Sequence, residues 1–137
     1  MIKFSSFFHE EVHGYYAIEL DPSSHIEMSK HGQYEEIKSH HVTIAYEPSD
    51  EVAKILNSML GRTFTMKTIL YMSNDKIDAA IVNVDGLKRQ DSGPAHITIS
   101  HKKGVMPAES KDMIQRPDFK EKLNLRLRGK LRFYPNR

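Results

Sequence analysis

His41-Val42-Thr43-Ile44 and His96-Ile97-Thr98-Ile99 repeat one pattern 55 positions apart: histidine, apolar, threonine, apolar. Imidazole titrates near neutral pH, so a positioned histidine can take or give a proton during a reaction. A threonine hydroxyl can donate a hydrogen bond to charge that develops as bonds rearrange. In an extended strand successive side chains alternate faces, which puts His41 with Thr43, and His96 with Thr98, on one side. The apolar partners project to the other side, where they can be buried. One such string means little among eight histidines. Two, each within an expected strand, are a more specific signal.

The elements that must carry these strings follow from local pattern. Gly14–Leu20 is rich in aromatic and β-compatible residues and ends at the Asp21-Pro22 turn signal, so it reads as a strand. Ser23 or Ser24 is expected to cap a short helix through Met28 and Ser29, stopped by Gly32. The first string lies in an expected strand over 39–46, closed by Glu47-Pro48. Ser49 should cap the next helix, whose Val52, Ile55, Leu56, Met59 and Leu60 recur at helical spacing until Gly61. Strands are expected at 63–72, 76–84 and 95–101, the first two joined by a hairpin at Ser73-Asn74-Asp75. A short helix over 108–115 precedes Arg116-Pro117. The segment 124–134 then alternates, with Leu125, Leu127, Leu131 and Phe133 on one face and Arg126, Arg128, Lys130 and Arg132 on the other.

This order predicts an α+β fold of antiparallel sheet with helices outside, in two similar halves that each hold one string. A length of 137 residues suits a single domain over 1–137, with 1–13 expected to be loosely held. Apolar residues make up 39% and charged residues 28%, which argues against wholesale disorder, and no apolar run is long enough to span a bilayer. Acidic Glu10 and Glu11 interrupt the N-terminal apolar residues before a signal core could form, so a cytoplasmic protein is expected. The absence of cysteine removes disulfides, thiol nucleophiles and thiolate metal sites. Net charge is only +2, but residues 119–137 carry +6 and the rest −4, so a basic patch sits on a slightly acidic body.

The two strings, in the contexts SHHVTIAYEP and PAHITISHKKG, resemble the signature of the two-histidine (2H) phosphoesterase superfamily. The chain is similar to the LigT-like and tRNA-ligase-type cyclic phosphodiesterases of that superfamily, and the stretch Gly104-Val105-Met106-Pro107-Ala108-Glu109-Ser110 most resembles the tRNA-ligase phosphodiesterase branch. The resemblance implies two pseudo-symmetric lobes facing one another across a central cleft, with His41 and His96 catalytic and Thr43 and Thr98 holding phosphate. By the same resemblance His96 takes the proton of water and His41 protonates the departing oxygen, with no metal and no cofactor. The substrate class it implies is the 2′,3′-cyclic phosphate end of RNA, or a cyclic nucleotide. The chain is short for that family, so the wall of the substrate pocket is expected to differ.

Around this pair, Lys102 and the basic face of Arg126, Arg128 and Arg132 are candidate substrate contacts, and Tyr15, Tyr16 or Tyr134 could stack a base. Three other readings compete. The same site would suit a cyclic oligonucleotide messenger, or the fold could serve as a non-catalytic RNA-binding module that uses the basic strand. The basic strand could also be a charged edge that resists aggregation. His40 is expected on the face opposite His41, His101 at the start of a loop, and His9, His13, His25 and His31 on the solvated surface. No carboxylate stands at a familiar zinc-ligand spacing from these histidines. A monomer without membrane contact is expected.

Overall fold

The computed structural model describes residues 13–90 and 93–136. The expectations for His9 and for residues 1–12 fall outside that range; His13 is exposed and its carbonyl accepts from the Asn136 amide. The elements run β1 (Gly14–Leu20), α1 (Pro22–Ser29), β2 (Glu36–Ile37), β3 (His41–Tyr46), α2 (Asp50–Asn57), β4 (Thr63–Ser73), β5 (Ile77–Val84) and β6 (His96–His101). A 3₁₀ turn (Pro107–Glu109), α3 (Ser110–Met113), β7 (Phe119–Lys122) and β8 (Arg126–Pro135) complete the chain.

The fold is α+β, and every strand pairing is antiparallel. One half holds β3, β1 and β8 side by side; the other holds β4, β5 and β6. The halves join at two seams, β8 with β4 and β3 with β6, so the six strands close into a barrel. The second seam is a single residue pair, Val42 with Ile97. Ring closure leaves these six strands no long free edge. Short β2 extends beside β6, and β7 beside β4.

Alternation along the strands fills the barrel. Ile18, Val42, Ile44, Ile97, Leu127 and Leu131 are fully or almost fully buried in one cluster. β5 is apolar on both faces: Ala80 and Val82 point into that cluster, while Ile77 and Ala79 form a second one with Met72 and Met113 of α3. At Gly129 of β8 an added Cβ would fall 2.4 Å from the Glu19 carbonyl oxygen, so only glycine allows β8 to lie this close to β1.

Several local expectations are corrected. Asp21, not Ser23 or Ser24, is the N-cap residue of α1, with Pro22 in its first turn, where a missing N–H costs nothing. Ser49 does cap α2, accepting from the Val52 amide at 3.3 Å. That helix ends at Asn57, however, so Leu60 lies beyond it, and Ile55 and Leu60 stay exposed while Ala53 and Leu56 reach the core. The first string's strand begins at His41 rather than 39, because Ser39 is left-handed at φ 55° and breaks the extended run. β2 and β7 have no expected counterpart; four exposed residues in β7 offer no buried face for a pattern to reveal.

One buried carboxylate ties this framework together. Asp78 of β5 is fully buried and accepts from the Tyr71 hydroxyl of β4 at 2.6 Å, the Ser100 amide and hydroxyl of β6 at 2.8 and 2.6 Å, and the Gln33 amide at 2.9 Å. Burial, then the Asp78 carboxylate, push the Tyr71 phenol far above its ordinary range. Asp78→Ala strands all four donors, so it is expected to lower unfolding free energy by at least about 3 kcal/mol in urea titrations. No helix among the described residues is long and apolar enough to cross a membrane.

Candidate active site

The Val42–Ile97 bridge determines how the two strings meet. Both residues are wholly buried, so their neighbours His41, Thr43, His96 and Thr98 turn to the other side of the sheet. All four line one cavity of about 780 Å³. The single Val42–Ile97 pair places the histidine and threonine of each string on either side of the bridge.

His96 is the more enclosed of the two. Its Nδ1 lies 3.1 Å from the Pro94 carbonyl oxygen and 3.3 Å from Arg89 Nη1. A carbonyl only accepts and a guanidinium only donates, so the ring can satisfy one of them at a time. When Nδ1–H donates to Pro94, the neutral ring keeps its lone pair on Nε2, which faces the Ser110 hydroxyl at 3.2 Å. Ser110 is almost fully buried and also lies 2.8 Å from Thr98 Oγ1 and 2.9 Å from the Pro107 carbonyl oxygen. By giving its hydrogen to Thr98 Oγ1, Ser110 can release Nε2 and leave the single Thr98 hydrogen free for a substrate oxygen. One hydroxyl therefore sets the position of both residues of the second string.

His41 is held by aromatic contacts. Its ring stacks 5.7 Å from Tyr15 and lies 5.5 Å from Tyr134, while those two tyrosines stack at 5.2 Å. Burial pulls the His41 pKa below its ordinary value, His40 adds to the effect, and Glu19 opposes it. Burial likewise lowers His96, helped by the charges of Arg89 and Lys111 and opposed by the Pro94 hydrogen bond. Both rings are thus biased toward the neutral form.

The remaining candidates are dispersed. Lys102 stands over the Tyr34 ring, 5.8 Å from its centre, rather than in the cavity. Arg128 lies 4.0 Å from Asp21 and Arg132 3.3 Å from Glu19, and Arg126 is exposed; none of the three lines the main cavity. Tyr16 is buried in the barrel, its hydroxyl donating to Asn57 at 2.6 Å, and is not open to a base. His101 lies at the end of β6, buried rather than in a loop.

His40 differs from expectation in a way that matters. The left-handed Ser39 rotates the chain just before β3, so His40 lines the same cavity as His41 instead of the opposite face. His25, expected on the surface, stacks on His40 with ring centres 4.9 Å apart, its Nδ1 2.8 Å from the Ser39 carbonyl oxygen. Sequence reasoning also missed Lys38, Tyr46, Arg89 and Ser110, all of which line the cavity. Arg89 sits in a connecting segment and Ser110 opens the four-residue α3, and neither carries a periodic signal. Among the described residues, no three histidine or acidic side chains gather in a metal-ligating cluster.

No family model matches this sequence, and no curated protein matches it. Among solved structures it is similar to a crystal structure of a fungal RNA kinase, with a TM-score of 0.50. The match covers 89% of this chain and 44% of that one at 15% identity, so the chain spans less than half the length of that protein. The shared feature is the fold.

Proposed function

We propose that this protein is a metal-independent phosphodiesterase that opens 2′,3′-cyclic phosphate ends of RNA or nucleotides by acid–base catalysis between two histidines. The observation that carries this reading is the convergence of both histidine–threonine strings on one cavity. In this scheme a water attacks phosphorus while His96 Nε2 takes its proton. The bond from phosphorus to one ribose oxygen breaks, and His41 protonates that oxygen, leaving a phosphate monoester and a ribose hydroxyl. Thr43 and Thr98 donate to the non-bridging oxygens, where negative charge grows in the transition state. The Pro94 contact supports His96 as the base because it directs the neutral ring's lone pair to Nε2. The similarity to a fungal RNA kinase accords with an RNA end as substrate.

Incubation in EDTA with an RNA oligonucleotide ending in a 2′,3′-cyclic phosphate, and separately with cyclic mono- and dinucleotides, tests the proposal. Turnover of the RNA end is the expected result. Turnover confined to cyclic dinucleotides would instead favour a messenger-cleaving enzyme.

The lowered histidine pKa values also predict a pH profile. Activity needs one neutral and one protonated ring, and kcat/KM reports both groups in the free enzyme. With both values pulled below 6.5, the bell should peak below pH 6.5 and fall on the alkaline side as the acid loses its proton. A maximum above 6.5 would show that the free enzyme does not hold both rings in this state.

A further inference from the structure

A second cavity of about 470 Å³ lies next to the first, and His40 lines both. His25 joins His40 in its wall, and the two rings are nearly parallel, 7° apart. The opposite charges there are unequally matched. Glu19 faces Lys130 across the β1–β8 ladder but extends to Arg132, 3.3 Å away, and Asp21 lies 4.0 Å from Arg128. Lys130 lines the cavity and has no carboxylate within ion-pair distance among the described residues. The second cavity thus offers the His25–His40 ring pair and the Lys130 ammonium, beside the Glu19 and Asp21 carboxylates that reach toward Arg132 and Arg128, and it shares His40 with the main cavity. An aromatic face with a nearby cation is what a single-stranded nucleotide requires: the base stacks and the phosphate is neutralised.

We propose that this second cavity binds the nucleotide immediately 5′ of the cyclic phosphate, its base against the His25–His40 pair and its phosphate at Lys130. The inference rests on the phosphodiesterase reading and narrows its substrate to an RNA strand over a free cyclic mononucleotide. Chemistry sets the direction: a terminal nucleoside whose 2′ and 3′ oxygens share one phosphate continues into a strand only through its 5′ oxygen. The basic face of β8 then serves substrate binding through Lys130, at the point where it meets a cavity, rather than through its whole length.

Two measurements test this together. Initial rates are taken for mono-, di- and trinucleotides ending in a 2′,3′-cyclic phosphate, and fluorescence polarisation follows binding of labelled mono- and dinucleotide 3′-phosphates. For the wild type, KM and Kd should fall at least about tenfold from mono- to dinucleotide, as one stacked base provides, with little further gain for the trinucleotide. His25→Ala and Lys130→Gln together should remove that gain, and the Lys130→Gln portion should shrink as salt is raised. Affinity independent of length, or a length gain that survives both substitutions, overturns the proposal. If the 3′-phosphates bind with this length dependence while no cyclic phosphate is hydrolysed, the cavity assignment stands and the phosphodiesterase reading fails.

Discussion

Replacing His41 or His96 with alanine is expected to lower kcat on a 2′,3′-cyclic phosphate by roughly 10² to 10⁴-fold, the usual worth of a positioned proton-transfer group. The double variant should be little slower than the worse single one, because an acid and a base that act in one transition state are lost as a unit. His41 is half-buried at the cavity wall, so its removal should leave the fold intact by circular dichroism. His96 is more enclosed and bonded to Pro94 and Ser110, so its variant needs a thermal melt alongside the rate measurement. Turnover that persists undiminished in either folded variant would eliminate the two-histidine scheme. A non-catalytic RNA binder predicts no turnover in the wild type and RNA affinity indifferent to His96.

Thr43→Val and Thr98→Val should each reduce kcat by roughly 10² to 10³-fold with a much smaller change in KM, since a donor aimed at transition-state charge contributes little to ground-state binding. Valine keeps the shape of threonine and removes the hydroxyl. For Thr98 the change also takes a partner from Ser110, which retains the Pro107 carbonyl at 2.9 Å, so the core loses little. Single-turnover kinetics on the cyclic phosphate would separate the two effects. A rise in KM at unchanged kcat would make these hydroxyls binding groups rather than transition-state donors.

Much of this site was legible because alternation along a strand is a local property. Val42 and Ile97 read as inward-facing and are wholly buried; His41, Thr43, His96 and Thr98 read as sharing a polar side and line one cavity. Leu127 and Leu131 read as the buried face of β8 in the same way. His40 was misplaced for an equally local reason. The period-two argument assumes an extended backbone, and Ser39 at φ 55° departs from it. Ser39 is itself fixed by distant contacts: its amide donates to Thr98, and its carbonyl lies against His25. Nothing in the neighbouring residues announces that turn.

Ser110 and Arg89 illustrate a different limit. Ser110 reaches His96 only because the 3₁₀ turn at Pro107–Glu109 folds the chain back over β6. Arg89 reaches His96 from the segment that joins β5 to β6. Their types are common, and neither repeats with the period of an element, so no pattern could single them out. Tyr15 and Tyr134, by contrast, are brought beside His41 by the β1–β3 and β1–β8 ladders, and their aromatic character already suited them to that place.

By itself the sequence determined which side chains share a face: two imidazoles each beside a hydroxyl, a basic strip on the last strand, and apolar residues on the reverse. Those assignments depend on backbone repeat and on the transfer of apolar groups out of water, both of which act over a few residues. Only the tertiary structure decided that β3 and β6 touch at one residue pair, that the six strands close, and that His40 faces two cavities. Such meetings are set by long-range pairing, where the entropy of closing a long loop is offset by burial shared over the whole barrel rather than by any one segment.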